Sequence, residues 1–389
     1  MRHYLTKLKQ LMSGRQWSGE SVGVTVGGFG INVPMGRASN LPAVLRHGLD
    51  PADPTPLYNM DAPTLMRWFN GYAQTPEFMQ HVLYGETVAL FEGAMRPIVR
   101  GGLDVADLTI EFEATPYQVP IALQRHRDAM LDFFRHTGRS RRLPDGEWEN
   151  NITARLCEFD PSTGHMVLQQ ARYTDQIATN LSVDTNSNHL PPGMLSIRRG
   201  FEPPHDGRLV PLHRSGLANS LGVAGVLFAR DGQPLMRERS KHLGSINSQK
   251  IHCSVSGVYE IPPGTRLGER HGYPLLRHGI ELEIRHELGL EPGEYRLFPI
   301  ALSRELPRHG KPQLFFAILS DMPVTDLIAR MQTADERHEF LNDPNFMFRI
   351  APADHSTYSR YTYEGWAALH FATKFLQANQ ESLAFAPRR

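Results

Sequence analysis

Apolar residues recur at every fourth position at Ile280, Ile284 and Leu288, and Gly289 followed by Pro292 ends the run. That pattern predicts a short amphipathic helix over Arg277 to Leu290. Helical spacing also marks Thr64 to Tyr72 and Pro76 to Phe91, the latter with Phe78, Val82, Leu83, Val88 and Phe91 on its apolar side. A third helix is expected over Gln118 to His136, with Ile121, Leu123, Met130, Leu131, Phe133 and Phe134 as core contacts. Two-residue alternation through Leu108, Ile110 and Phe112 predicts a strand over Asp107 to Ala114. Ile152 to Glu158 and His165 to Gln170 flank the turn sequence Asp160-Pro161-Ser162-Thr163-Gly164, so they form a hairpin.

From Leu217 the pattern changes. Gly222 to Ala229 is an apolar strand, Asp231-Gly232 a hairpin turn, and Leu235 to Arg239 the return. Strands are expected at Gln249 to Ser256, Tyr295 to Arg304 and Gln313 to Leu319, and helices at about Val324 to Phe340 and Tyr363 to Gln377. The stretch 183–208 is rich in Asn, Pro, Gly and His and reads as a boundary. The expected organisation is therefore a mixed α+β domain over residues 1–205 and an α/β domain over 206–389, and 389 residues with 40% hydrophobic content suffice for two cores.

Lys plus Arg equals Asp plus Glu at 41 each, which gives no electrostatic case for non-specific nucleic-acid binding. The strongest basic cluster, Arg139-Ser140-Arg141-Arg142, is followed at once by Asp145, Glu147 and Glu149 and reads as a solvated loop. Cys157 and Cys253 are the only cysteines, too few for a disulfide framework, and both fall in expected strands, where a thiol is packing. A reducing, cytoplasmic location and a protein without membrane spans are expected, since there is neither a signal-type apolar core at the start nor an 18-residue apolar run. The glycines of 20–36 do not make a nucleotide loop, because Val33 stands where a third Gly would be needed and Pro34 follows; a glycine-bearing strand or turn fits better.

The predicted helix carries the candidate chemistry. With Ile284 as the centre of the buried stripe, Glu287 lies about 60°, Glu283 about 100° and His286 about 160° to one side. Glu283 and Glu287 form an i, i+4 like-charge pair, which costs roughly 0.2–0.5 kcal/mol in an isolated helix and calls for a nearby cation. Solvent and the flanking pairs Arg277–Glu281 and Glu281–Arg285 are one answer; a divalent ion between the carboxylates is another.

Leu282-Glu283-Ile284-Arg285-His286-Glu287-Leu288-Gly289-Leu290 resembles the second half of the Nudix box, R-E-U-x-E-E-x-G-U with U apolar. Glu283, Ile284, Glu287, Gly289 and Leu290 match, whereas Leu282 replaces the Arg and His286 the first Glu of the pair. Ser256-Gly257-Val258-Tyr259-Glu260 resembles the family's G-G-x-x-E loop with Ser for the first Gly, and Leu282 lies 25 positions after Gly257, 11 more than the family spacing, which places an insertion within Ile261 to Gly279. The resemblance covers the second half of the chain and implies a Nudix-like α/β/α sandwich.

The resemblance further implies a metal-dependent hydrolase of a nucleoside diphosphate linked to another moiety, using Mg²⁺ or Mn²⁺. Glu283 and Glu287 would be ligands, His286 a neutral nitrogen donor favouring Mn²⁺, and Glu260 the residue that orients or accepts a proton. Gly257, Arg237 and Arg239 would contact substrate. Glu336, Glu339 and Glu364 are further carboxylates from which a base can be recruited. The second class is a Nudix-fold module that binds a nucleotide ligand or a protein without cleaving. The implied partner is a nucleotide-derived small molecule; capped RNA and a homodimer stay open.

Overall fold

The computed structural model describes residues 21–26, 29–34, 61–143, 145–185, 188–239, 250–335, 348–349 and 359–383. Strands β1 (Ser21–Val26) and β2 (Phe29–Pro34) form an antiparallel hairpin, as the glycine-bearing stretch suggests. Helix α1 (Ala62–Trp68) is capped by Asp61, whose carboxylate accepts from the Thr64 amide.

The apolar run after Pro76 is not one helix. Only Pro76–Met79 is helical, His81 takes a φ of 57°, and the chain leaves as strand β3 (Tyr84–Phe91). Thr87, Val88 and Ala89 pair with Ser303, Leu302 and Ala301, so a sheet edge decides the conformation of residues that also satisfy a helical stripe. Strands β4 (Leu103–Asp104) and β5 (Thr109–Phe112) follow, then helix α2 (Gln124–His136). Ile121, expected in the core, lies in the turn before α2 and is 87% exposed. Strands β6 (Ile152–Asp160) and β7 (His165–Arg172) form the expected hairpin, joined by β5 into a three-stranded sheet, and the short helix α3 (Tyr173–Ala178) closes this half.

The second half contributes β8 (Gly222–Phe228), β9 (Pro234–Glu238), β10 (Ile251–His252), β11 (Val255–Val258), helix α4 (Tyr273–Glu283), β12 (Arg296–Glu305), β13 (Lys311–Leu319), helix α5 (Val324–Thr333), β14 (Phe348–Arg349) and helix α6 (Tyr363–Ala378). A mixed nine-stranded sheet runs β10-β9-β8-β13-β12-β3-β4, with β11 paired to β8 and β14 to β9. β8 and β13 lie parallel at its centre, and every residue of both is buried. One face, through Val223, Leu314 and Phe316, packs under Leu276, Ile280, Ile284 and Leu288 and against the three-stranded sheet. The opposite face, through Ala224, Val226, Phe315 and Ala317, packs under Trp366, Phe371 and Phe375 of α6. The class is α/β, with helices covering both faces of a mixed sheet.

No break in packing marks the expected boundary at 205/206. β3 belongs to the sheet of the second half, and β6 is hydrogen-bonded to it by Leu221 N to Ala154 O at 2.7 Å and Leu156 N to Asn219 O at 3.1 Å. Within the stretch expected to be a linker, Arg198 is fully buried: it pairs with Asp184 at 2.7 Å and donates to the carbonyls of Leu306 and Pro307. Its polar composition is divided between buried, satisfied groups such as Ser196, Arg198 and Glu202 and exposed ones such as Arg199, His205 and Asp206.

The single strand expected over Gln249 to Ser256 is broken into β10 and β11, which pair with β9 and β8 respectively. Ser254 bridges the break: its hydroxyl donates to Leu235 O and accepts from Leu227 N. The helix expected to reach Phe340 ends at Thr333, where Ala334 turns extended with ψ 152°, and Glu336 and Glu339 lie outside the described residues. Among the described residues no helix is long and apolar enough to cross a membrane.

His126 on α2 is fully buried with Nε2 3.1 Å from Ser182 Oγ, and burial, with His189 nearby, pushes its pKa down from 6.5 to about 4. The unfolded chain therefore takes up a proton that the folded protein refuses. The associated stability is intact above pH about 6.5 and is lost as pH falls towards about 4, to the extent of about 3 kcal/mol. His126→Leu should flatten the change in urea midpoint between pH 7 and pH 5, although it lowers the midpoint at pH 7 by stranding Ser182. An unaltered pH dependence in that variant would show that the slope arises elsewhere.

Candidate functional site

Helix α4 begins at Tyr273, four residues earlier than periodicity from Arg277 indicates, because Pro274 suits a first helical turn. The expected insertion is thus a shorter loop, 261–272, followed by helix. The loop is held against β5 by Ile110 N to His271 O at 2.7 Å, His271 N to Ile110 O at 2.9 Å and Arg270 Nε to Glu111 at 2.7 Å. At its other end α4 widens into a π-helical turn, Ile284–Leu288, closed by Gly289 with φ 66°. Such turns rotate the following side chains relative to an ideal wheel and recur at functional sites.

The turn carries Glu287 into the protein, where it is 1% exposed. Its Oε2 accepts from the Ser256 amide at 3.3 Å and lies 3.5 Å from Arg237 Nη1. The same Nη1 donates to the Glu287 carbonyl at 3.0 Å, so one guanidinium answers both a buried carboxylate and the carbonyl end of the turn. Glu283, half-buried, lies over the next residue, Gly257, which is in strand β11 and not in the expected loop: a Cβ there would stand 2.0 Å from its Oε1 and 2.9 Å from its Oε2. The two carboxylates thus meet the Ser256–Gly257 backbone at neighbouring residues, and only glycine leaves room for the second.

The other expected members of the site are placed differently. Glu260 is exposed and accepts from Asn151 Nδ2, since its backbone bridges Thr153 on β6. His286 is half-buried, and the Glu283, Glu287 and His286 donor atoms do not converge into a three-ligand cluster. The straight-helix wheel that put all three on one face does not survive the π turn. Arg237 is 4% exposed and committed to Glu287, so it is not a substrate contact at the surface. Arg239, half-buried, donates from Nη1 to His252 Nε2 at 3.1 Å.

Sequence reading missed His252. Arginine only donates, so Nε2 is the acceptor and the ring proton sits on Nδ1, which donates to Thr362 Oγ1 at 2.6 Å. Nε2 also accepts from Ser256 Oγ at 2.7 Å. Burial, then Arg239, Arg308, Arg237 and Lys311, hold the imidazole's pKa well below its usual value, and the ring stays neutral. Donor atoms of His252, Cys253 and Glu364 lie within 4.8 Å of one another, and all three residues are buried.

Behind them is a buried polar group. Lys311 Nζ donates to Gln313 Oε1 at 2.7 Å, and Gln313 Nε2 donates to Glu364 Oε1 at 2.9 Å. A Cβ on Gly222 would stand 1.9 Å from Gln313 Oε1 and 2.3 Å from Lys311 Nζ, so this glycine makes the space they occupy. Burial raises the Glu305 carboxyl and lowers the Lys311 ammonium, each opposed by the charge of the other and, for Lys311, first by Glu364. Both thiols are free and buried; burial pushes Cys157 up to about 11 and Cys253 well above its ordinary value, which fits packing rather than nucleophilic use.

No protein-family model matches the chain, and no curated protein is similar to it. Among solved structures, DR0079 from Deinococcus radiodurans is similar over 27% of this chain and 57% of its own length, at 20% identity and a TM-score of 0.21.

Arg237→Met should destabilise the protein by about 3–5 kcal/mol in urea unfolding, the range for leaving a buried charge without its partner. Adding Glu287→Gln should recover a large part of that loss. A single-variant cost no larger than that of an exposed ion pair, below about 1 kcal/mol, would show that Glu287 draws its compensation from another group.

Proposed function

We propose that the chain binds a divalent cation between Glu283 and Glu287 over Ser256 and Gly257 of β11 and hydrolyses the phosphoanhydride of a nucleoside diphosphate joined to another moiety. The observation that carries this reading is the arrival of both carboxylates on adjacent residues of strand β11, in a place that a side chain on Gly257 would fill. The donor set fits the ion. Glu283, Glu287 and backbone carbonyl groups are hard oxygens suited to Mg²⁺ or Mn²⁺, which keep several waters and need few protein ligands.

When bound, the metal supplies charge neutralisation on phosphoryl oxygens and a water of lowered pKa. The chain's own residues prepare the place. Arg237 and the Ser256 amide both engage Glu287 Oε2 and hold the carboxylate in place. His286 contributes no third donor, so the metal preference follows from oxygen chemistry alone, without the softening a nitrogen ligand would bring.

A second reading, a module that binds the nucleotide ligand without cleaving it, is favoured by Glu260, which is held by Asn151 just before β6. No other group in its place is assigned as a base. The two readings part on turnover. Under the hydrolase reading, purified protein with Mn²⁺ releases nucleotide products from nucleotide sugars, dinucleotides or ADP-ribose. Glu283→Gln and Glu287→Gln should each lower that rate by about a hundredfold or more, since even outer-shell changes cost 10–100-fold. His286→Ala should leave rate and metal preference unchanged. Mn²⁺-dependent ligand binding without product in the parent protein would establish the binding module, and equal activity in Glu287→Gln would remove Glu287 from the metal site.

A further inference from the structure

The strand that meets the two carboxylates, β11, is also fastened from the N-terminus of α6. Thr362 is the N-cap of α6: its hydroxyl oxygen accepts from Gly365 N at 2.9 Å, and its own amide donates to Ile251 O at 2.8 Å. The start of the helix is pressed closely onto β10, since a Cβ on Gly365 would stand 2.8 Å from His252 Cα. From this fixed base the His252 ring spans the gap, with Nδ1 on Thr362 at 2.6 Å and Nε2 on Ser256 Oγ at 2.7 Å. Ser256 then presents its amide to Glu287 Oε2 at 3.3 Å.

We infer that His252 is a positioning residue: it holds the Ser256 hydroxyl from the N-terminus of α6 so that the Ser256 amide stays aimed at Glu287 and the carboxylate pair keeps its spacing. This rests on the metal-site reading for its consequence, though not for its geometry. The residues between His252 and Ser256 leave room for the alternative. Cys253 and Ser254 cross between two sheet pairings, and β11 begins only at Val255, so Ser256 sits one residue into a strand of four. Its backbone pairs with Ala224 in the ladder to β8, which runs from Ser254 N to Tyr259 N, and the two short hydrogen bonds of His252 add the side-chain tether on the hydroxyl that this ladder does not supply. Because Arg239 also donates to Nε2, the ring keeps the acceptor tautomer that the serine hydroxyl requires.

The test reads the strand and the metal separately. In ¹⁵N-labelled protein, His252→Leu should accelerate hydrogen exchange at the Ser256 amide about tenfold, the loss expected for one hydrogen bond, while the amides of β12 and β13 keep their rates. Ser256→Ala, which retains the amide and removes only the hydroxyl, should do the same and serves if the leucine variant fails to fold. His252→Gln places an amide oxygen near the Nε2 position and should restore the parent rate to within about twofold.

Mn²⁺ affinity, followed by electron paramagnetic resonance, should weaken about tenfold in His252→Leu and in Ser256→Ala, and no further in the double variant, because both break one chain of contacts. Unchanged exchange at Ser256 in both single variants overturns the inference. Uniform acceleration across β12 and β13 without rescue by glutamine also overturns it, by showing a merely structural histidine. If the parent binds no Mn²⁺ that Glu283→Gln abolishes, the metal reading fails, while the exchange rates still decide the role of His252.

Discussion

Strand β13 is buried along its entire length, yet it opens with Lys311, Pro312 and Gln313. A strand at the centre of a sheet covered on both faces has no water to which such groups can turn, so the sheet must supply partners or lose the strand. It supplies them in a chain from Lys311 to Gln313 to Glu364, made possible by the missing side chain at Gly222 on the parallel neighbour. Glu364 stands in the first turn of α6, so satisfying β13 also fixes where that helix begins. The candidate chemistry gathers around this polar end because the apolar body of both faces excludes charge.

The carboxylate site obeys the same constraint on the opposite face. Glu287 is as deeply buried as Lys311, and its charge is met by a guanidinium on β9 and an amide on β11, two strands that pair with β8 in different registers. The break between β10 and β11 is what brings them together. If Gln249 to Ser256 formed one continuous strand, Ser256 would have to follow β9 and leave β8, and the amide that holds Glu287 would be carried away. A local defect in the ladder, patched by the Ser254 hydroxyl, thus generates a site that a regular strand would not.

Much of the framework is legible from spacing. The hairpin over β6 and β7, the central strands and α6 follow from alternation, turn residues and apolar runs, and Glu283, Glu287 and Gly257 stand out by charge and position in a short segment. What spacing does not encode is which distant groups meet them. Arg237 looks like a surface-bound cation until its burial against Glu287 is known, and His252 and Ser256 give no signal beyond being polar residues in an expected strand. The π turn escapes a periodicity argument because it changes the angle on which that argument depends. β3 is misread as helix because Val82, Leu83, Val88 and Phe91 satisfy a helical stripe, while its true partner, β12, is some 200 residues away.

The first half of the chain has a chemical effect despite carrying no catalytic signature of its own. β6 is tied to the second half at two places, residues 219–221 before β8 and residues 259–261 after β11, through bonds such as Leu221 N to Ala154 O and Ile261 N to Ile152 O. Both ties lie at one end of the β8–β11 ladder, where Gly222 pairs with Val258, and from that end they steady the strand that holds Ser256 and Gly257. They also turn Glu260 towards Asn151 and solvent. The same strand that steadies β11 therefore also engages Glu260, the acidic residue that follows it, through the Thr153 bridge and the Asn151 amide beside it.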